Sequence, residues 1–68
     1  METIDARGRS CPEPVIMTQQ AVKQADQVTV LVDNQVSVDN ITRFCNNRGF
    51  SIQVTPEGED FRLEIAKK

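Results

Sequence analysis

Apolar residues in this chain alternate between two periods, and that alternation restricts the fold more than any single motif does. Ile4 marks a short strand from Thr3 to Asp5. From Pro12 to about Gln24 the period becomes helical. Pro14, Val15, Met17, Thr18, Ala21, Val22 and Ala25 share one broad face, while Glu13, Gln19, Gln20, Lys23 and Gln24 share the other. Ile16 is the odd residue, apolar but on the polar side. Val28 to Val32 returns to alternation with β-branched residues, the composition of a strand. Ser37 offers an N-cap for a second helix, whose stripe is Val38, Ile41, Phe44 and Cys45. Gly49 is placed to end that helix, with Phe50 as its hydrophobic clasp. Phe50, Ile52 and Val54 then alternate, as do Phe61, Leu63 and Ile65, and Pro56-Glu57-Gly58-Glu59 joins them as a hairpin turn.

The order is therefore β-α-β-α-β-β. Right-handed strand–helix–strand connections place both helices on one face of a mostly parallel sheet and leave the other face to water or a partner. This is an α/β two-layer sandwich. With 68 residues there is room for one domain, residues 1–68, and one core. No repeat, linker or low-complexity stretch interrupts it.

Composition excludes more chemistry than it suggests. No histidine is present, so no mechanism can use an imidazole base. Two cysteines, Cys11 and Cys45, are too few for a zinc or iron–sulfur centre, so neither metal nor cofactor is expected. The net charge is −2 with both signs mixed along the chain, which argues against a nucleic-acid partner. No apolar run is long enough to span a bilayer, and Glu2 and Asp5 precede any apolar stretch, so neither a membrane nor a signal peptide is expected. The expected location is the cytoplasm.

Ser10-Cys11-Pro12-Glu13-Pro14 carries the candidate chemistry. With Cys11 as N-cap, Pro12 and Pro14 fall in the first turn, where a missing N–H costs no intrahelical bond. They stiffen the loop that holds the thiol. The positive end of the helix dipole, with Arg7 and Arg9 upstream, favours the thiolate that attacks sulfur. Glu13 pulls the other way if it turns toward the thiol. A lone cysteine is more often a small buried hydrophobe than a nucleophile, so location must tilt the reading. The loop lies at the carboxyl ends of parallel strands, where open α/β sheets keep their sites. Asp33, Asn34 and Gln35 emerge at the same edge, and so does the Pro56–Asp60 turn if the third strand runs parallel to the first two. Cys45, on the apolar stripe, reads as buried and inert. Asp5 reads as a residue of loop hydrogen bonding.

Asp5-Ala6-Arg7-Gly8-Arg9-Ser10-Cys11-Pro12-Glu13-Pro14-Val15-Ile16 resembles the N-terminal signature of the TusA-like (SirA-like) sulfur carriers, D-x-x-G-L-x-C-P-x-P. The likeness runs on through Val32-Asp33-Asn34, Arg43-Phe44-Cys45 and the closing hairpin. It implies a mixed four-stranded sheet in the order 1-2-4-3, with the fourth strand antiparallel. It also implies that Cys11 receives a persulfide sulfur from a cysteine desulfurase and relays it to a downstream sulfur-acceptor protein, in tRNA thiolation or cofactor synthesis for instance. Such a carrier is sulfurtransferase-like and acts only with partners. Arg9 stands where the family usually has leucine, which adds charge beside the thiol and bears on partner choice. Within the family, Met1 to Gly8 and Leu31 to Asn34 are most similar to the N-terminal domain of YedF-type proteins of selenium metabolism. Such proteins often continue into a second, DsrE-like domain, so Ala66-Lys67-Lys68 could be a domain boundary.

Three functions follow. The first is the carrier, with Cys11 as its reactive residue, Pro12, Pro14, Arg7, Arg9 and Asp33 supporting it, and Ile16 as a docking residue. The second is a thiol redox pair, which needs Cys45 accessible and within about 7 Å of Cys11 between α-carbons. The third is a regulatory interaction module without chemistry.

Overall fold

Val28, Val30 and Val32 are buried together with Leu63 and Ile65, and these side chains form the floor on which two helices lie. The computed structural model describes residues 2–9 and 13–67. Its elements are β1 (Glu2–Asp5), α1 (Glu13–Val22), β2 (Gln27–Val32), α2 (Gln35–Arg48), β3 (Ser51–Glu57) and β4 (Asp60–Ala66). Four strands form one sheet in the order β1-β2-β4-β3. The chain is thus the expected α/β two-layer sandwich with a mixed sheet.

The expectation of a mostly parallel sheet needs refining. β1, β2 and β3 run in one direction, but only β1 and β2 are paired in parallel. β4 lies between β2 and β3 and is antiparallel to both. The hairpin explains this: a short turn can return the chain only antiparallel, and β4 then fills the gap left beside β2.

Cross-strand register sorts the side chains cleanly. Val30 faces Leu63 and Leu63 faces Val54; Val28 faces Ile65 and Ile65 faces Ile52. These residues look toward the helices, where Ile41 and Cys45 of α2 and Ala21 and Val22 of α1 complete the core. Thr29, Glu64 and Gln53 form a row on the other face, as do Leu31, Arg62 and Thr55. That face is polar and uncovered, with Arg62 bridged to Glu57 at 2.8 Å.

The ends of α2 show one miss and one success for the sequence reading. The N-cap is Asn34, not Ser37: the Asn34 side chain accepts from the Ser37 amide at 2.8 Å, and the helix starts at Gln35. Ser37 is buried inside the first turn, and Val36, left out of the stripe, is 61% exposed. Gly49 does close the helix with φ 76°, and the Phe50 amide reaches back to the Cys45 carbonyl at 2.9 Å. Phe50 meets Phe44 edge-on with centroids 6.0 Å apart, which supplies the expected clasp.

Helix α1 is shorter than expected. Its regular part ends at Val22, and the Gln24 and Ala25 amides close a turn onto the Ala21 carbonyl. The hairpin is tighter than expected. Pro56 pairs with Phe61 and Glu57 with Asp60, so the turn proper is Gly58-Glu59. Gly58 has φ 63°, the positive value that the first position of a two-residue hairpin turn requires. Pro56 belongs to an edge strand, where its missing N–H is tolerated.

Candidate functional site

Three elements converge at one edge of the sheet. Because β1, β2 and β3 point the same way, the loop after β1, the start of α2 and the β3–β4 turn all emerge there. Cys11 and Pro12 lie outside the described residues. The residues on either side of them are described, and they show how the loop is held.

Asp5, the last residue of β1, accepts from Arg7 three times: from the backbone amide at 3.1 Å, from Nε at 2.9 Å, and from Nη2 onto its other oxygen at 2.9 Å. This two-pronged pairing is the geometry that guanidinium and carboxylate favour. The Arg7 side chain holds the Asp5 carboxyl well below the usual range, at about 2, with the Arg7 amide adding to the effect. Arg7 also reaches Asp60, the first residue of β4, with Nη1 3.3 Å from Oδ2. Asp60 was not singled out in the sequence, because it is 53 residues from Arg7 along the chain.

Next in the loop, Gly8 adopts φ 78°, a backbone region that residues with a β-carbon enter only at a cost. Its amide donates to Asp33 Oδ2 at 2.8 Å, which ties the loop to the end of β2. The Asp33 carboxyl is also pulled below its ordinary range, first by the Asn34 side-chain amide and then by this Gly8 donor. Beneath the loop, Ala6 is buried and its amide bonds to the Leu31 carbonyl at 2.8 Å, extending the β1–β2 ladder by one residue.

Arg9 lies 3.5 Å from Glu13 across the undescribed segment. Both arginines expected to add positive charge near the thiol are therefore engaged with carboxylates.

Among the other candidates, Pro14 is buried in the first turn of α1 and its carbonyl accepts the Thr18 hydroxyl at 2.8 Å. Ile16 is 44% exposed on that same helix, away from the core. Cys45 is a free and fully buried thiol. Burial pushes its pKa up to about 11, so it carries almost no thiolate at neutral pH. No group of three or more metal-ligating side chains occurs among the described residues. No helix among them is long and apolar enough to cross a membrane.

A two-layer α/β domain with its β1–α1 loop tied at Gly8 to the end of β2 defines a class of small carrier-sized folds, and comparison with known proteins narrows it. The family described as Sulfurtransferase TusA matches residues 2–67. A protein of Methanocaldococcus jannaschii named as a candidate sulfur carrier is 32% identical, over 98% of this chain and 95% of its own. The crystal structure of a SirA-like protein from Desulfitobacterium hafniense superimposes with a TM-score of 0.89 at 32% identity, covering 97% of this chain and 96% of that one. The chain belongs to the TusA-like family of sulfur carriers. Proteins of this kind work between a sulfur donor and a sulfur acceptor.

Proposed function

We propose that this protein carries sulfur as a persulfide on Cys11, taking it from a cysteine desulfurase and passing it to an acceptor protein. The Cys11 thiolate attacks the terminal sulfur of the donor's persulfide. A new S–S bond forms at Cys11 as the donor's S–S bond breaks, and the donor cysteine leaves as thiolate. Release repeats the exchange in the other direction, with an acceptor nucleophile attacking the terminal sulfur. Neither step needs a redox cofactor, and the absence of histidine is compatible with both, because the leaving thiolate needs no proton from an imidazole.

The observation that carries this reading is the tether of Gly8 to Asp33 in the segment leading to Cys11. A cysteine used only as core filler needs no such fixed, exposed approach. Cys45 provides the contrast within the same chain, since it is buried and has a raised pKa. That contrast speaks against a redox pair. Arg7, Arg9, Asp33 and Pro14 support the loop, and Ile16 offers an apolar contact to a docking partner. The cytoplasm suits a protein whose thiol must stay reduced, and the selenium-linked likeness leaves selenium as an alternative cargo.

The test is intact-mass spectrometry with peptide mapping after incubation with a cysteine desulfurase and cysteine, without reductant. One sulfur atom should be added at Cys11, be lost on reduction, and be absent from Cys11→Ser. A Cys11→Ser protein that still accepts and relays sulfur would rule the proposal out.

A further inference from the structure

The two outer strands of the sheet present different edges. β1 spans only Glu2–Asp5 and carries a carboxylate at each end. β3 spans Ser51–Glu57, and from Ser51 to Thr55 it holds no charge, proline or glycine. Its pairing with β4 runs residue for residue, without a bulge. Natural sheets blunt free edges with charge, proline, bulges or very short strands. β1 is short and charged, whereas β3 has such protection only at its far end, in Pro56 and Glu57.

The hairpin decides which backbone groups β3 leaves on the free side. Glu57 and Asp60 close a two-residue turn, so Glu57, Thr55, Gln53 and Ser51 direct their N–H and C=O groups to β4. Those of Ile52, Val54 and Pro56 point away from the sheet. Pro56 thus falls where no N–H is needed, and Ile52 and Val54 keep donors and acceptors on the free edge. Their side chains lie on the helix side of the sheet, where Val54 is 38% exposed.

We propose that this edge pairs with the same edge of a second copy, across a two-fold axis at Gln53. Ile52 of one protomer then faces Val54 of the other, and the reverse, and each such pair exchanges both backbone hydrogen bonds. An axis at Ile52 would set Val54 against Phe50, whose N–H is given to the Cys45 carbonyl. An axis at Val54 would set Ile52 against Pro56, which has no N–H to give. Only the Gln53 register uses both outward donors. It also brings the Ile52 and Val54 side chains of both copies together and sets Ser51 against Thr55 on the opposite face. Charge favours the same direction. β3 is preceded by Arg48 and followed by Glu57 and Glu59, so antiparallel pairing lays the basic end of one edge beside the acidic end of the other. A second copy therefore supplies the matching register and the matching charge at once. The pairing is independent of the carrier reading.

Sedimentation equilibrium should show a weak monomer–dimer equilibrium, as so small an interface implies. Amide exchange at Ile52 and Val54 should slow as concentration rises, while Ser51, Gln53 and Thr55, already bonded to β4, should not change. Gln53 is exposed, so Gln53→Lys should fold normally. It sets two like charges opposite each other and should weaken the dimer several-fold. Gln53→Cys, in a Cys11→Ser background, should crosslink on mild oxidation, because its two copies would lie about 4.5 Å apart between α-carbons, within disulfide reach. Ser51→Cys should not, since its two copies are offset along the strands by about 13 Å. A protein monomeric at every concentration, a dimer indifferent to Gln53→Lys, or crosslinking at Ser51→Cys as readily as at Gln53→Cys would overturn the proposal. Protection of Ile52 and Val54 only on adding a different protein would also overturn it, and would give the edge to a strand of that protein.

Discussion

The chain passes from strand to helix twice on the same edge, and the two passages are built differently. Between β2 and α2 only residues 33–34 intervene, and the turn is secured by neighbours: Asn34 caps the Ser37 amide. Between β1 and α1 the chain crosses residues 6–12, and the described part of that span is secured from a distance by Asp33 and Asp60. The short passage is fixed by its own sequence and offers a partner little. The described part of the long one depends on the rest of the fold, as a site carried on a rigid scaffold requires.

Breaking this contrast should begin with Gly8. A β-carbon there would meet nothing within 4 Å, so the penalty of Gly8→Ala is conformational and not steric. A loss of about 1–2 kcal/mol in urea unfolding is expected for forcing alanine to positive φ. Gly8→Asn should recover part of it, since asparagine tolerates that region better. An alanine variant as stable as wild type would mean that the loop can abandon its bend.

Somewhat smaller is the effect at the short passage. Asn34→Ala removes a local cap and should cost about 1 kcal/mol, or roughly 4–8 °C in melting temperature for a domain of this size. Alkylation of Cys11 should change little in that variant, because Asn34 donates to one oxygen of Asp33 and Gly8 is held by the other. A change in Cys11 reactivity would show that the two passages are coupled through Asp33.

Acid should give the smallest expected effect, through Asp5 at the start of the long passage. Asp5 titrates at about 2 in the fold against an ordinary 3.8. A depressed folded pKa stabilises the native state above the ordinary value, and this contribution fades as pH falls from 3.8 toward 2. The Asn34 amide that caps α2 has no titratable group of its own. Carboxyl chemical shifts followed through this range should give Asp5 a midpoint near 2, with the Arg7 amide moving in step. A midpoint at 3.8 would show that Arg7 does not hold it in solution.

What could be read in the sequence followed from period and punctuation. Alternating valines gave the buried strand, Gly49 the end of α2, and the apolar stripe the burial of Cys45. Ile16 was correctly set outside the core. The cap was misplaced because Asn34 and Ser37 are both good capping residues three positions apart, and the exposed Val36 hid the true start of the stripe. Arg7 and Arg9 were expected to lend charge to the thiol because they are near it in sequence. Which carboxylates would engage them depended on topology: only the insertion of β4 beside β2 brings Asp60 to Arg7. Long-range pairing of this kind leaves no periodic trace in the chain.

Strand order has a consequence for how the molecule is made. β4 is the last element in the sequence and sits inside the sheet, joining β2 to β3 along its whole length. Without β4, β3 has no strand beside it in the sheet. Leu63 and Ile65, which seal the floor of the core, are then missing as well. The sheet closes only when β4 takes its place between β2 and β3.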